Sequence, residues 1–253
     1  MVTDKPLKIV SYNMHGFRQG CPLIEDLITS HSPDILLLQE HWLTPASLYK
    51  FHQRFNGYFS FGSSAMGHAV ESGMLRGRPF GGVMTLIKND LRRIAQTVAC
   101  DERYVIVKIS DIIIINVYLP CHGTANRVAI CEDLVNDICA WCHQFSHCKC
   151  IIAGDFNCSL DCDDSTARCL NSFSERYSLQ RCDKIFPSNI SYTYNNQALN
   201  QRSYIDYVLV SCGESVIDFA VLDPDINFSD HLPLYRVGQK TGLFLEVCGS
   251  RIC

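Results

Sequence analysis

The sequence predicts an α/β fold: a four-layer sandwich of two packed mixed β-sheets flanked by helices. Three observations predict it. Apolar runs of strand length alternate with stretches of helical period along the whole chain. Several neighbouring runs are separated by turns too short for a crossover, so hairpins accompany the parallel connections. No Pro/Gly-rich linker, internal repeat or low-complexity tract divides the 253 residues, so a single domain, 1–253, is expected, with its core over about 7–238 and a tail over 239–253.

The elements follow in order. Leu7–Asn13 is an apolar run ending in a polar residue, and Pro22–His31 is a short helix with Leu23, Leu27 and Ile28 on one side. Asp34–Glu40 is apolar until Gln39-Glu40, as a strand buried on both faces is. Pro45–Phe55 reads as a helix with proline in a tolerated first-turn position. Ser60–Gly82, rich in Gly and Ser, reads as a long surface loop. Val83–Lys88, Arg93–Val98, Tyr104–Ser110 and Asp111–Leu119 read as strands, with a hairpin turn at Asp111. Arg127–Cys142 has helical period, Lys149–Gly154 is a strand and Ser165–Tyr177 a helix; Tyr204–Val210, Phe219–Leu222 and Leu232–Val237 complete the strands.

Composition narrows the function classes. Hydrophobic residues are 47% and charged residues 19%, enough for a core and too little charge for disorder. The longest aliphatic runs, Ile35–Leu38 and Ile112–Ile115, fall far short of the roughly 18–20 residues of a membrane span, so no membrane partner is expected. Met1-Val2-Thr3-Asp4-Lys5 has no apolar signal-peptide region, and the 15 cysteines are odd in number and irregularly spaced. Reduced thiols in an intracellular reducing compartment are the expectation. A net charge of −4 excludes binding of a polyanion by bulk phosphate neutralisation; contact must be local, or carried by a bound cation.

The chemistry gathers at strand ends. Asn13, Glu40 and Tyr118 each close an apolar run; so do Asp155 and Asn157 after Gly154, while Asp206 lies within Ser203-Tyr204-Ile205-Asp206-Tyr207 and Asp230-His231 precede the last run. Neighbouring strand ends lie about 5 Å apart, so one rim can collect several carboxylates and a histidine. Such a crowd is costly unless it shares protons or a cation. Oxygen ligands from Asp, Glu and Asn favour a hard ion, Mg²⁺ or Mn²⁺, which completes its shell with water and phosphate. The inferred reaction class is metal-assisted phosphoryl transfer to water. Taken singly, a strand-end Asn or Asp is an ordinary turn former, and Tyr118 an ordinary core aromatic.

Six short motifs stand in order over about residues 8–237: Ser11-Tyr12-Asn13-Met14-His15-Gly16, Gln39-Glu40, Asn116-Val117-Tyr118, Gly154-Asp155-Phe156-Asn157, Ile205-Asp206-Tyr207 and Ser229-Asp230-His231. The set resembles the endonuclease/exonuclease/phosphatase superfamily, and within it the apurinic-like endonuclease domain of non-LTR (LINE-type) retrotransposons. Gln39-Glu40-His41-Trp42-Leu43, Gly77-Arg78-Pro79-Phe80-Gly81-Gly82-Val83 and Ser191-Tyr192-Thr193-Tyr194 carry that finer likeness. The Trp-x-Asp-Arg signal of the inositol-phosphatase branch is missing, with Ser203-Tyr204-Ile205-Asp206-Tyr207 in its place.

The resemblance implies the following roles. Glu40 is the principal Mg²⁺ ligand, with Asn13 beside it and Asp230 lending negative charge; Mn²⁺ is the alternative ion. Asp155 orients and helps deprotonate the attacking water, and Asn157 holds a phosphate oxygen. Tyr118 bonds the phosphate or stabilises the leaving oxygen. His231, oriented by Asp206, stabilises charge on the scissile phosphate. The general base is either Asp155 or the His231–Asp206 pair. Thr193 and Ser229 contact the DNA backbone or support the site, and Arg76, Arg78 and Arg202 line the DNA groove. The amides of Thr193–Arg202, Asn196 among them, belong to a hairpin that reaches the minor groove and reads DNA shape; an ordinary polar loop is the competing reading. His15 stands where the family usually places Asp or Asn. There it touches phosphate or a metal-bound water, and weaker metal binding or a Mn²⁺ preference is expected.

The implied activity is metal-dependent nicking of one strand of double-stranded DNA, leaving 3′-hydroxyl and 5′-phosphate ends. In a full-length element the nick primes reverse transcription, with element RNA and reverse transcriptase as partners, in the nucleus. The alternatives are a phosphatase or sphingomyelinase-type phosphodiesterase of the same superfamily, or a binding module that has lost the chemistry. Cys139-Ala140-Trp141-Cys142-His143 matches a haem-attachment string, and Cys139, Cys142, His147 and Cys150 approach a zinc spacing. Their placement in a helix and a buried strand favours packing instead.

Overall fold

The computed structural model describes residues 5–73, 77 and 79–239. Its strands are β1 (Leu7–Asn13), β2 (Ile35–Gln39), β3 (Tyr58–Ser63), β4 (Val83–Lys88), β5 (Ala95–Cys100), β6 (Tyr104–Ile109), β7 (Ile112–Tyr118), β8 (Lys149–Asp155), β9 (Gln180–Arg181), β10 (Tyr194–Asn196), β11 (Gln201–Ser203), β12 (Asp206–Val210), β13 (Val216–Val221) and β14 (Leu234–Gly238). The helices are α1 (Phe17–His31), α2 (Tyr49–Arg54), α3 (Gly67–Glu71), α4 (Arg127–Gln144), α5 (Ser165–Arg176) and α6 (Cys182–Ile185).

Two six-stranded mixed sheets form, in the orders β13-β14-β1-β2-β4-β3 and β5-β6-β7-β8-β12-β9, with β10-β11 as a separate hairpin. Only β1–β2 and β7–β8 pair in parallel; the other neighbours are antiparallel.

Strand periodicity sorts the core into three layers. Leu7, Ile9, Ile35 and Leu37 meet Val105, Val107, Ile114, Ile151 and Val208 between the sheets. Val10, Tyr12, Leu36 and Leu38 point outward under α1 and α2, against Ile24, Leu27, Phe51 and Phe55. Ile113, Ile115 and Ile152 face the opposite way, under Leu134 and Ile138 of α4 and Leu170 and Phe173 of α5.

The inward-facing residues change character along each strand. β1 runs Leu7, Ile9, Ser11, Asn13; β2 runs Ile35, Leu37, Gln39; β7 runs Ile112, Ile114, Asn116, Tyr118; β8 runs Ile151, Ala153, Asp155. All four turn polar at the same end of the sandwich. Gln39 and Asn116 lock it across the sheets: Gln39 Nε2 donates to Asn116 Oδ1 at 2.7 Å, and Asn116 Nδ2 donates to the Leu38 and Met84 carbonyls.

Local departures from the sequence reading have physical causes. α1 starts five residues before Pro22, whose missing N–H forgoes only the bond to the Arg18 carbonyl near the helix start. Pro45–Phe55 divides into a 3₁₀ turn over Pro45–Ser47 and α2. The surface loop assigned to Ser60–Gly82 contains most of β3 and α3. Phe59 and Phe61, alternating with Ser60 and Gly62, pack against the inter-sheet core, so β3 is an alternating edge strand hidden by its small residues.

Candidate active site

Sheet register alone assembles half of the site. In β7–β8 Tyr118 lies beside Asp155, and in β8–β12 Asp155 lies opposite Asp206. The parallel β1–β2 pair sets Asn13 beside Gln39, and Glu40 follows in the left-handed region at φ 53. Gly154, at φ 150, permits the close pass of β8 over β7, because a Cβ there would collide with the Val117 carbonyl oxygen.

Asn13 is the hub. Its Nδ2 donates to Asp155 Oδ2 at 2.9 Å and to Glu40 Oε1 at 3.1 Å, and lies 3.4 Å from His231 Nε2; its Oδ1 accepts from the His15 backbone N–H. Glu40 also accepts from Trp42 Nε1 at 3.1 Å, and burial, with the charges of Glu40 and Asp155, pushes the pKa of the nearby Tyr118 hydroxyl up. His231 Nδ1 lies 2.9 Å from Asp206 Oδ2, and its Nε2 lies 3.8 Å from Asp155 Oδ2.

The site is largely dry. Asp155 is fully buried, Asp206 and His231 nearly so, and Glu40 is half-buried. Burial pushes the Asp155 carboxyl up to about 7, reinforced by Asp206 and opposed by His231 and Asn13. Burial works against the His231 cation, but Asp206 and Asp155 outweigh it and carry its pKa up to about 10. Burial alone would raise Asp230; His15 and His231 hold it below the usual carboxylate range.

Every predicted site residue among those described lies in or beside this rim, though several do different work there. Asn157, at φ 49, spends its side-chain N–H groups on Asp155 Oδ2 and the Leu119 carbonyl, and its backbone N–H on Asp155 Oδ1, so it orients Asp155. Thr193 requires a correction as a DNA contact. It is fully buried, and its hydroxyl accepts the Ile205 and Asp206 N–H groups at 3.0 Å each, which fixes the start of β12. Ser229 Oγ donates to the Asn13 carbonyl and accepts from the His231 N–H, tying β1 to the histidine turn.

His15 Nδ1 lies 2.9 Å from Asp230 Oδ1, and its ring packs on Trp42 with centroids 4.7 Å apart. Arg202 and Asn196 sit on the β10–β11 hairpin: the Arg202 guanidinium lies over the Tyr192 ring, and Asn196 bonds Tyr194 and the Leu199 N–H. Arg76 and Arg78 lie outside the described residues.

Sequence reasoning missed two supports. Trp42 lies in Gln39–Leu43, which the sequence marks only by its family likeness, and its indole N–H holds Glu40. Asn227 accepts from the Tyr12 hydroxyl and the Ser229 N–H and donates to the His231 carbonyl; its Asn-x-Ser spacing is an Asx-turn signal.

The donor chemistry fits a hard divalent cation. Glu40, Asp155, Asp206 and Asp230 gather carboxylate oxygens of the kind Mg²⁺ and Mn²⁺ prefer, while Asn13 and Asn157 turn their amide N–H groups toward Asp155 and hold it in place. Asp155, Asp206 and His231 bring ligand atoms within 4.8 Å of one another, the one such trio among the described residues. Cys142 and Cys150 meet at 3.9 Å across the far side of β8, packed in the outer core.

Solved structures share this architecture. An AP endonuclease from Leishmania major superposes with a TM-score of 0.76 at 17% identity, covering 94% of this chain and 89% of that one. An AP endonuclease from Archaeoglobus fulgidus gives 0.68 at 17%, covering 92% and 99%. The 3′ phosphatase NExo from Neisseria, bound to product DNA hairpin, gives 0.65 at 18%, covering 91% and 98%. Comparison with curated proteins gives no match. The pattern of one family runs from residue 10 to residue 231, through every element that supplies the rim, and the chain belongs to the Endonuclease/Exonuclease/phosphatase family.

Proposed function

We propose that the chain is a metal-dependent endodeoxyribonuclease that nicks one strand of duplex DNA by phosphodiester hydrolysis, leaving 3′-hydroxyl and 5′-phosphate ends. The observation that carries it is the joining of Asp155, Asn13 and the Asp206–His231 pair in one buried cluster, with half-exposed Glu40 at its mouth. Glu40 would hold the cation, with Asn13 beside it and Asp230 adding negative charge. That ion supplies charge neutralisation for the phosphate and lowers the pKa of water.

The chain's own residues divide the remaining work. Asp206 fixes the His231 ring and keeps it protonated, which suits it to stabilising a phosphate oxygen rather than removing a proton. Asp155, held by Asn13 and Asn157, accepts the proton of the attacking water. Tyr118 donates from beside Glu40 to the phosphate or the leaving oxygen.

DNA is favoured as substrate by the two concavities that flank the His15–Trp42 pair. One, of about 570 Å³, carries Arg18 and Lys50, with Arg54 paired to Glu25; the other, of about 350 Å³, is walled by the hairpin amides. A strand crossing the site meets both. The likeness of Gln39–Leu43 and Ser191–Tyr194 to retrotransposon endonucleases supports priming of reverse transcription as the biological role, with element RNA and reverse transcriptase as partners in the nucleus.

Incubation with supercoiled plasmid, followed by mapping of the cut ends, tests the reading. Nicks with 3′-hydroxyl and 5′-phosphate ends that disappear with chelator are expected, and Glu40→Ala and His231→Ala lower the rate at least ~10²-fold while remaining folded. Untouched plasmid beside rapid release of phosphate from inositol phosphates or a 3′-phosphate end, or hydrolysis of sphingomyelin, sinks it.

A further inference from the structure

Resting on the nuclease reading, we propose that Phe228 is a base-stacking residue, forming one wall of a slot that takes a nucleobase beside the scissile phosphate. Phe228 is 61% exposed, three residues before His231. Its exposure is built rather than incidental. Asn227 on one side is bonded to Tyr12, Ser229 and His231, and Ser229 on the other is bonded to Asn13 and His231. The ring is therefore carried outward on a turn fastened to the catalytic residues themselves.

The slot, of about 350 Å³, lies between Phe228 and the hairpin residues Asn195, Asn196 and Gln197, with His15 and Asp230 on its floor. Its chemistry sorts the parts of a nucleotide. Among the described residues no Lys or Arg lines it, and the one cationic group there, His15, is engaged by Asp230, so it does not invite phosphate. The concavity on the other side of Trp42 holds Arg18 and Lys50 and suits the backbone. A planar apolar face opposite amides is what a base needs: every base has a π-face to stack, and an amide both donates and accepts at a base edge. The Gln197 side-chain amide and Asn195 Nδ2 have no partner among the described residues. Asn196, by contrast, spends its amide closing the hairpin, so base-edge contact falls to Gln197 and Asn195.

The test uses the full chain and a duplex oligonucleotide carrying the mapped nick site, with 5-iodouracil placed in turn on either side of the nick. Photocrosslinking in chelator should label Phe228 from one of those positions. In kinetics with metal, Phe228→Ala should raise KM about 5- to 100-fold with a smaller change in kcat, the scale of one lost stacking contact. Phe228→Tyr should restore the wild-type KM and Phe228→Leu should not, a pattern that simple apolar packing does not produce. Unchanged KM in Phe228→Ala, a wild-type Phe228→Leu, or crosslinks confined to other residues overturns the stacking role while nicking persists. A wild-type protein that does not nick the duplex overturns the nuclease reading and this one together.

Discussion

The inter-sheet layer buries charge at both ends, and the two ends treat it differently. At the rim, Asp206 and His231 are paired at 2.9 Å, and Asp155 accepts from Asn13 and from both nitrogens of Asn157. At the opposite end Arg236 of β14 is 2% exposed. Its Nη2 reaches Ser215 Oγ at 3.3 Å, while Nε and Nη1 have no hydrogen-bond partner among the described residues. Polarity in a core therefore does not mark a site. What marks it is a set of buried charges whose partners hold them in fixed relation and leave one face open, as Glu40 does.

The largest expected effect probes the rim. Asp155→Asn should lower single-turnover nicking by ~10²-fold or more, since an amide cannot accept the water's proton. The same change removes a carboxylate that burial and Asp206 both oppose. The metal-free variant should therefore melt about 2–4 °C higher in calorimetry, or ~1 kcal/mol. A lower Tm would show that the hydrogen bonds from Asn13 and Asn157 outweigh the burial of charge, and the contrast between the two ends would narrow.

His41 offers a second probe beside the same rim. It is fully buried between Glu40 and Trp42 in sequence, with Nδ1 accepting from the Leu43 N–H and Nε2 donating to the Ser63 carbonyl. Burial holds its pKa down at about 4, against the pull of the Ser63 carbonyl. Its folded pKa lies below its unfolded one, so stability is full above about pH 6.5 and falls as pH drops toward 4. The loss attributable to His41 is on the order of 3 kcal/mol at pH 4. Denaturant melts of metal-free wild type and His41→Gln between pH 7 and pH 4 should show a difference that shrinks with acidity, because only the wild type must protonate a buried ring. A constant difference would mean that the ring is already solvated in the folded state.

Much of the rim was legible because strand periodicity and chemistry coincide there. Leu7, Ile9, Ser11, Asn13 and Ile151, Ala153, Asp155 change from apolar to polar on one face, and that change can be read from letters alone. What was illegible depended on contacts between distant segments. Thr193 suits a backbone-binding position by residue type, yet tertiary pairing spends its hydroxyl on the start of β12. The hairpin β10–β11 is expected only from the family likeness: apart from Tyr194 it is built of Asn, Gln, Arg and Ser, which carry little strand signal, and its register comes from cross-strand pairing. The left-handed turns at His15, Glu40, Trp42 and Asn157 aim side chains into the site, and periodicity says nothing about them. Arg236 hid for the opposite reason: it interrupts a run otherwise suited to a buried strand, with no motif around it.

That arginine gives the smallest and most discriminating test. Its guanidinium fills the space beside Gly238, where a Cβ would strike it, and faces the Cys182 thiol rather than a carboxylate. A buried cation with so few bonds is costly, and an apolar side chain of similar length keeps the packing without that cost. Arg236→Met should hold or raise Tm, by about 1 kcal/mol or 2–4 °C, with nicking unchanged. Arg236→Ala should lower it, because it empties the same space. If Arg236→Met unfolds the protein instead, the guanidinium is held by bonds as strong as those of His231, and buried charge at the two ends obeys one rule rather than two.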